Sequence, residues 1–418
     1  MVLGRGLAAI LGVALAACAA VPEDDAASDE SAATVASTAP ADPNATTATR
    51  AVYANLRSLD LGASNAFDRR IIIGQQEADV SNRSTNGLAP IQSDIERLTA
   101  KTPALVSYEL SHVNKSSLTM FDVEGFRAGK GALRERVLEQ NKKGALVSFV
   151  WHMKCPKAAP NDRDLFAPSE CPNHYRLEEL LSRKANGNPG VHFTEWREML
   201  DELADFIWSL KDENGELVPI LFRPFHEHTG DWFWWGRANT PATWIAAWRE
   251  TFDYLVRGRG LHNLLWVYCP GAPTDGNLVR AGGDYTRYYP GDAYADVIAF
   301  DRYDQSSSFW RGFEADLRAV GAFARAHDKA AAVAEVGLTG IGADGRSRND
   351  AWFTQTLGSL KRHGQGFSYV ALWRNAPWEK FIPEPNDGAL ANDFRAMASD
   401  PSALFAGAHD LTVPLHAY

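Results

Sequence analysis

The residue types best able to do chemistry are concentrated in residues 223–236, which read RPFHEHTGDWFWWG. Glu227 stands between two histidines, with Arg223 upstream and three tryptophans downstream. Charged groups are costly to bury unless they are paired. Flat aromatic faces suit the apolar faces of a pyranose ring, while nearby polar groups fix its hydroxyls. This combination indicates a cleft that binds a sugar.

A second glutamate, Glu335, follows the small apolar run at residues 330–334. Hydrolysis of a glycosidic bond needs two carboxyl groups that flank the bond. One protonates the leaving oxygen, and the other attacks the anomeric carbon or activates a water molecule. Glu227 and Glu335 are far apart in sequence, so only the fold can pair them. Helix capping or a salt bridge is the alternative use of either carboxylate.

The neighbours of Glu227 have opposing effects on its chemistry. A nearby cation such as Arg223 holds a carboxylate ionised and lowers its pKa, whereas burial against tryptophan raises the pKa and suits an acid. The sequence leaves both open. Residues 226–228 read His-Glu-His, but they lack the two-histidine, one-turn spacing of helical zinc proteases, so we expect no metal.

Short apolar runs alternate with longer amphipathic segments along the chain, which predicts strands alternating with helices. The apolar runs are 71–73, 104–106, 145–150, 218–222, 264–267, 297–300, 330–334 and 369–372. The helix candidates include 194–211, 241–257, 312–327 and 349–363. Buried parallel strands have continuous apolar sequences, as these runs do. The pattern therefore predicts an α/β protein with a parallel sheet.

Polar and aromatic side chains follow every one of these runs. Examples are Trp151-His152, Asp301 with Tyr303, and Trp373-Arg374. Active-site residues of a (β/α)8 TIM barrel lie at the carboxyl ends of all its strands. A doubly wound open sheet would concentrate them at one or two switch points instead. We therefore predict the barrel, with the open sheet as the alternative.

On these residues the sequence resembles glycoside hydrolase family 26, most of whose members are endo-β-1,4-mannanases. The resemblance covers about residues 65–395 and is most specific in 223–236. It implies a retaining, double-displacement hydrolase in which Glu227 is the general acid/base and Glu335 the nucleophile. Such a mechanism places the carboxyls about 5–5.5 Å apart, whereas a separation near 9 Å indicates inversion. No cofactor is expected.

The resemblance also assigns roles around the two glutamates. His152 contacts the sugar at the cleavage subsite, His226 holds the glutamates and the sugar, and Trp232 stacks on the sugar beyond the cleaved bond. Tyr303 bonds the nucleophile, and the pair at 373–374 contacts sugars on the non-reducing side. The expected substrate-binding residues are His152, Arg223, His226, Trp232, Asp301, Tyr303, Trp373 and Arg374.

The expected substrate is β-mannan, glucomannan or galactomannan. Residues 108–110 and the segment between Cys155 and Cys171 depart from the family's pattern where distal subsites are shaped. A β-1,3-1,4-glucanase or a β-1,3-xylanase on the same scaffold is therefore an alternative. A non-catalytic, glycan-binding surface lipoprotein is the alternative of another class, and the presence of both glutamates argues against it.

The N-terminus has the features of an export signal. Residues 1–18 carry Arg5, an apolar stretch too short to span a bilayer, and a Leu-Ala-Ala-Cys ending that resembles a bacterial lipobox. Cys18 is then the lipidated residue, and the following Ala19 favours the outer membrane, on either face. A plain secretory signal is the alternative. Residues 19–50, acidic and without aromatics, are predicted to be a disordered linker, and residues 51–418 the catalytic domain.

Charge and cysteine content complete the expectations. The formal net charge is -10 with no basic stripe, which argues against nucleic acid as a partner. In an exported protein Cys155 and Cys171 are expected to form a disulfide. A metal site at these cysteines is the weaker alternative, because no second pair has zinc-ligand spacing. We expect a monomer that binds a plant polysaccharide and meets the membrane through its anchor.

Overall fold

The computed structural model describes residues 39–60, 70–79, 92–113, 129–156, 171, 176–276, 285–342, 344–376 and 378–407. They all belong to one compact unit. The predicted signal peptide with Cys18, and the predicted linker up to residue 38, lie outside the described residues. Within these ranges, no helix combines the length and the apolar character that crossing a membrane requires.

Eight parallel strands close into a barrel. In chain order the strands of the sheet are β1 Ile71–Gln76, β2 Thr102–Pro103, β3 Leu105–Glu109, β4 Leu146–Val150, β5 Ile220–Arg223, β6 Leu264–Tyr268, β7 Val297–Asp304, β8 Ala330–Leu338, β9 Phe367–Leu372 and β10 Ala403–Ala406. Strands β1 and β3 to β9 pair side by side, and β9 pairs with β1 to close the ring. The short strands β2 and β10 extend the sheet beside β1. The predicted (β/α)8 barrel is confirmed.

Helices surround the strands. They are α1 Thr47–Asp60, α2 Asp94–Thr99, α3 Gly129–Lys142, α4 Phe193–Trp208, α5 Pro241–Phe252, α6 Phe309–Ala326, α7 Trp352–His363 and α8 Gly388–Ser399. The four helix candidates correspond to α4 to α7 within a few residues. The difference is largest at α5, which gives way to a π-helical segment over Asp253–Gly258.

Alternate residues of each strand contribute to two different apolar layers. In β5, Leu221 joins the cluster that fills the barrel, whereas Ile220 and Phe222 join the larger cluster between strands and helices. Tyr53 and Leu56 of α1 belong to the inner cluster, so this helix packs against the barrel interior. The strands are therefore held from both sides, which makes their carboxyl ends a rigid base for a site.

The predicted boundary of the linker at residue 50 is wrong for residues 39–50, which are part of the folded unit. The Ala41 amide donates to Asp296 Oδ1 at 2.6 Å, and Asp42 Oδ2 lies 2.8 Å from His262 Nδ1. Helix α1 already begins at Thr47. The acidic, alanine-rich composition resembled a tether, but Asp42 is buried and hydrogen-bonded rather than solvated.

A chain beginning at residue 51 is expected to be less stable than one beginning at residue 39. Asp296 is buried, and losing its Ala41 donor leaves a carboxylate oxygen unsatisfied, which costs about 1–3 kcal/mol. Urea unfolding of the two truncated chains measures the difference in the free energy of unfolding. Equal midpoints and slopes would contradict the assignment of residues 39–50 to the folded unit.

Candidate active site

Two glutamates and an aspartate meet at the carboxyl ends of three strands. Glu227 lies just beyond β5, Asp301 lies in β7 and Glu335 lies in β8. One oxygen from each carboxyl group lies within 4.8 Å of the other two. This spacing is close to the 5–5.5 Å of retaining glycosidases and well below the range of about 6.5–9.5 Å that leaves room for an attacking water.

Arg223, the last residue of β5, lies beneath these carboxylates and joins two of them. One guanidinium nitrogen donates to Asp301 Oδ2 at 2.7 Å, and the other donates to Glu335 Oε1. The Arg223 side chain is buried, as are both carboxylates. Because its side chain is 2% exposed and bonded to both acids, Arg223 is placed to orient them.

Tyr303 donates to the second oxygen of Glu335 at 2.6 Å. Tyr303 and Asp301 are two residues apart on β7, so both side chains face the site. A register shift between Phe300 and Asp301 places Asp301 opposite Glu335 of β8. With one donor on each oxygen, the Glu335 side chain is held in one orientation.

Glu227 is held by different contacts. Its backbone has φ of 50°, and Phe225 two residues earlier has the same value. Such left-handed conformations are uncommon outside glycine and cost of order 1–3 kcal/mol each. The Glu227 amide donates to the Cys269 carbonyl at 2.8 Å, and Trp232 Nε1 donates to Glu227 Oε2 at 2.7 Å. The strained turn therefore aims this carboxyl group at Glu335.

Enclosure in the protein raises the pKa of Glu227 to about 7, and the negative charge of Glu335 adds to the rise. The Trp232 N–H opposes it, because a hydrogen bond to the carboxylate favours the charged form. The sequence left open whether burial or Arg223 has the larger effect on the pKa of Glu227. Burial has the larger effect, because Arg223 bonds the other two acids. A carboxyl group with this pKa can give and take a proton near neutral pH.

The tryptophans of the run divide into one exposed ring and two buried rings. Trp232 is 40% exposed, and its indole lies against Gly230, where an added Cβ would approach the ring within 2.3 Å. Trp234 donates to the Met153 carbonyl at 2.9 Å, and Trp235 donates to the His226 carbonyl at 2.8 Å. Both rings are buried, and their hydrogen bonds fix the loop.

Two histidines form a hydrogen-bonded chain that begins at Glu109, the last residue of β3. Glu109 Oε2 lies 2.5 Å from His152 Nδ1, and His152 Nε2 lies 3.1 Å from His226 Nε2. A carboxylate only accepts, so His152 carries its proton on Nδ1 and accepts from His226 at Nε2. Burial is the main reason that the pKa of His226 lies well below 6.5, and the nearby charge of Arg223 lowers the pKa further, so His226 stays neutral.

The resemblance assigns His226 to holding the glutamates and the sugar, and the structure gives its side chain His152 as hydrogen-bond partner. Within the described residues its side chain has no hydrogen bond to Glu227 or Glu335, and it acts through His152. The His228 ring packs on the Trp244 ring, with ring centroids 4.0 Å apart. Burial lowers the pKa of His228 to about 3. The histidines at 226 and 228 thus face different surroundings.

Trp373 and Arg374 follow β9 at the rim of the site. The Trp373 ring lies edge-on to Tyr303 with centroids 6.0 Å apart. Arg374 is 1% exposed, and its Nε donates to Glu379 Oε1 at 3.0 Å. Another guanidinium nitrogen lies 3.9 Å from Glu77 Oε2. Trp373 is 7% exposed and its Nε1 also donates to Glu379, so Arg374 and Glu379 hold this ring in place.

Three supporting residues carry no assigned role in the sequence-based prediction: Glu109, Cys269 and Glu379. Glu109 and Cys269 do follow or end apolar runs, which was the available signal. Glu379 lies in a turn and offered none. The buried Cys269 thiol donates to Asp301 Oδ1 at 3.2 Å and is the free cysteine of the described residues. Cys155 and Cys171 are joined by a disulfide.

The three close carboxylates invite comparison with a metal site. Oxygen ligands from Glu227, Asp301 and Glu335 are near enough to share an ion. However, the Arg223 guanidinium already bonds two of the three acids. The arginine supplies the positive charge that a metal would supply, so the residues fit an ion poorly.

An open groove of about 990 Å³ extends from Glu227 and Trp232 along the surface. Its far walls come from residues 271–276 and from residues 305–312 near the start of α6. The described lining does not include Trp373, Arg374 or Trp378. Asp301 and Tyr303 also line the groove, and Trp373 packs behind Tyr303, outside that lining.

The sequence places this barrel in a family. A family model for glycosyl hydrolase family 26 matches residues 41–340. The chain belongs to glycosyl hydrolase family 26. The resemblance drawn from residues 223–236 is thereby confirmed at the level of the family.

Relatives in family 26 fit this assignment. A mannan endo-1,4-β-mannosidase of Bifidobacterium adolescentis is 29% identical over 346 residues, 80% of this chain and 32% of that relative. An endoglucanase H of Acetivibrio thermocellus is 33% identical over 277 residues, 64% of this chain and 27% of that relative. A solved double mutant of the Cellulomonas fimi endo-β-1,4-mannanase has a TM-score of 0.74 and 28% identity, covering 91% of this chain and 79% of that one. The chain spans about a third of the first relative's length.

Two substitutions are expected to move the pKa of Glu227 in opposite directions. Glu335→Gln removes a negative charge and should lower the pKa below about 7. Trp232→Phe removes the N–H that stabilises the carboxylate and should raise the pKa. Carboxyl ¹³C NMR titration of protein labelled at glutamate measures both. Glu213→Gln, an exposed change, is the control. Shifts of the same sign in the two variants would contradict the account.

Proposed function

We propose that this family 26 protein hydrolyses β-1,4-mannosidic bonds in mannan, glucomannan or galactomannan with retention of configuration. The observation that carries the proposal is the close pair of Glu227 and Glu335, each with its own set of donors. Glu335 attacks the anomeric carbon while Glu227 protonates the leaving oxygen. Glu227 then takes a proton from the water that releases the glycosyl-enzyme.

Three features support the division of roles. Arg223 and Tyr303 each donate to Glu335, which suits a nucleophile that must stay a carboxylate. The pKa of Glu227 is raised to about 7, which suits a group that is protonated in one step and deprotonated in the next. Trp232 stands exposed beside Glu227, where the leaving sugar must lie.

The groove beside Glu227 supports cleavage within a chain. It continues for a volume of about 990 Å³ beyond the acid, on the side that receives the leaving part of the substrate. Trp373, which is 7% exposed, packs behind Tyr303 at the wall of this groove. A polysaccharide with sugars on both sides of the cleaved bond therefore fits this site.

The proposal is tested by product analysis with purified protein on linear mannan, galactomannan, lichenan and β-1,3-xylan. Release of mannooligosaccharides, with the β-anomer first in ¹H NMR, is the expected result. Glu335→Ala should abolish turnover while mannan binding survives, and Glu227→Ala should lower kcat by about 10²–10⁴-fold. Glu213→Ala, an exposed glutamate, is the control. Inverted products, or a fully active Glu335→Ala, would refute the mechanism.

A β-glucanase on the same scaffold is the second candidate, because the Acetivibrio thermocellus relative is named an endoglucanase. Faster hydrolysis of lichenan than of mannan would select it, and β-1,3-xylan tests the xylanase alternative in the same assay. A glycan-binding lipoprotein without turnover is the third reading. Binding of mannan with no release of reducing sugar would select that reading.

We further propose that the protein is exported as a lipoprotein, anchored through Cys18 to the outer membrane and monomeric there. The Leu-Ala-Ala-Cys ending of residues 15–18 supports this, and the acidic residues 19–38 suit a tether to the barrel.

Expression of the whole chain in a bacterium should place the protein in the membrane fraction. Cys18→Ala should move it to a soluble or unprocessed form, because the acyl chains supply the membrane affinity. Labelling with a fatty acid and mass analysis of the mature N-terminus measure the change. Cys269→Ala is the matched control. Equal membrane association of wild type and Cys18→Ala would refute the anchor.

A further inference from the structure

Among the described residues, Trp378 has the most exposed indole. None of the contacts described above explains why this ring is exposed. It is 56% exposed, compared with 40% for Trp232 beside the acid. An exposed indole forgoes the stabilisation of burial, about 25 cal/mol for each Å² of apolar surface. Isolated exposed aromatics are common on protein surfaces, so the position of Trp378 decides its meaning.

Trp378 lies on a turn that is tightly braced to the barrel. Ala376 and Glu379 exchange two backbone hydrogen bonds of 3.0 and 3.2 Å across the turn. The buried Asn375 side chain accepts from the amides of Phe381 and Ile382 at 2.8 and 2.9 Å. The indole is therefore presented by a fixed backbone, as a preformed ligand contact requires.

A line of contacts connects Trp378 to the nucleophile. Tyr303, which bonds Glu335, packs against Trp373. The Arg374 guanidinium then lies 5.6 Å from the Trp373 ring centroid and 5.8 Å from that of Trp378. Arg374 is itself fixed by Glu379. Trp378 is thus the outermost member of a row that starts at the reaction centre.

This row begins at Tyr303 in the wall of the groove that Trp232 lines, and its outer members lie outside that groove. The groove that receives the leaving group is lined by Glu227 and Trp232, and the row formed by Trp373, Arg374 and Trp378 is outside that lining. The sugar attacked by Glu335, and the sugars preceding it, must therefore extend toward Trp373 and beyond it.

We propose that Trp378 is a sugar-stacking platform on the non-reducing side of the cleaved bond, more distant than Trp373. Its indole face takes the apolar face of a pyranose ring. Arg374 positions the ring by a cation–π contact and, being buried, does not itself meet the sugar. This inference rests on the proposed glycosidase function and adds a residue that favours substrates with several sugars before the cleaved bond.

The test uses 4-nitrophenyl β-glycosides with one to four sugars, in a mannose and a glucose series. The aryl group occupies the leaving-group side, so each added sugar extends only toward Trp378. In the wild type kcat/KM should rise by about tenfold at the length that reaches the indole. Trp378→Ala should lose this rise through KM and leave the shortest substrate unaffected. Trp378→Phe should recover part of it.

Trp208→Ala is the matched control, since Trp208 is an exposed indole at the end of α4, bonded to the Arg259 carbonyl. A rise with chain length that persists in Trp378→Ala, or an equal loss in Trp208→Ala, would overturn the inference while leaving the glycosidase proposal intact. If the wild type hydrolyses neither series, that proposal fails. In that case, calorimetric binding of mannose, glucose and xylose hexasaccharides tests the role of Trp378. Binding that is about tenfold weaker in Trp378→Ala supports the stacking platform. Binding that is unchanged in the variant, or absent in the wild type, refutes it.

Discussion

The site depends on one buried cation shared by two acids. Arg223 ends β5, and its guanidinium bonds Asp301 of β7 and Glu335 of β8. Carboxylates buried so close together would repel one another and be costly to desolvate without such a partner. The arginine therefore permits a concentration of negative charge at the centre of the barrel mouth, and it links three strands in one arrangement. Removing it would leave two buried acids without their shared partner, a strongly destabilising change.

The same arrangement makes the two glutamates different. Glu335 bonds Arg223 and has a donor on each oxygen, whereas among the described residues the donor to the Glu227 carboxyl group is the Trp232 N–H. Burial and the nearby charge of Glu335 then raise the pKa of Glu227 to about 7. Two identical side chains thus acquire separate roles from their surroundings, which is the usual way in which one site provides both a nucleophile and an acid.

The strands of the fold were predictable because buried parallel strands have continuous apolar sequences, and the polar residues after each strand indicated the mouth. The two partners of Arg223, Asp301 and Glu335, were not predictable from the sequence. The sequence places Arg223 near Glu227, but its bonds reach residues 78 and 112 positions away. Likewise Glu109 and His152 are 43 residues apart and meet only because β3 and β4 are paired. The amino-acid composition also gave a wrong prediction of a disordered linker at residues 39–50. Composition does not distinguish a buried acid such as Asp42 from a solvated one.

The division between strands and turns explains how one chemistry can serve different glycans. Arg223, Asp301, Tyr303 and Glu335 all lie on strands whose backbone is fixed by neighbours on both sides. The exposed rings lie instead on turns: Trp232 after the strained segment at Glu227, and Trp378 on the hairpin braced by Asn375. A turn can change its length or its side chain without disturbing the strand ladder. Under the proposed function, substrate preference would be set at the rim, where a change of aromatic residue leaves the ion cluster intact, while changes on the strands would affect catalysis for every substrate alike.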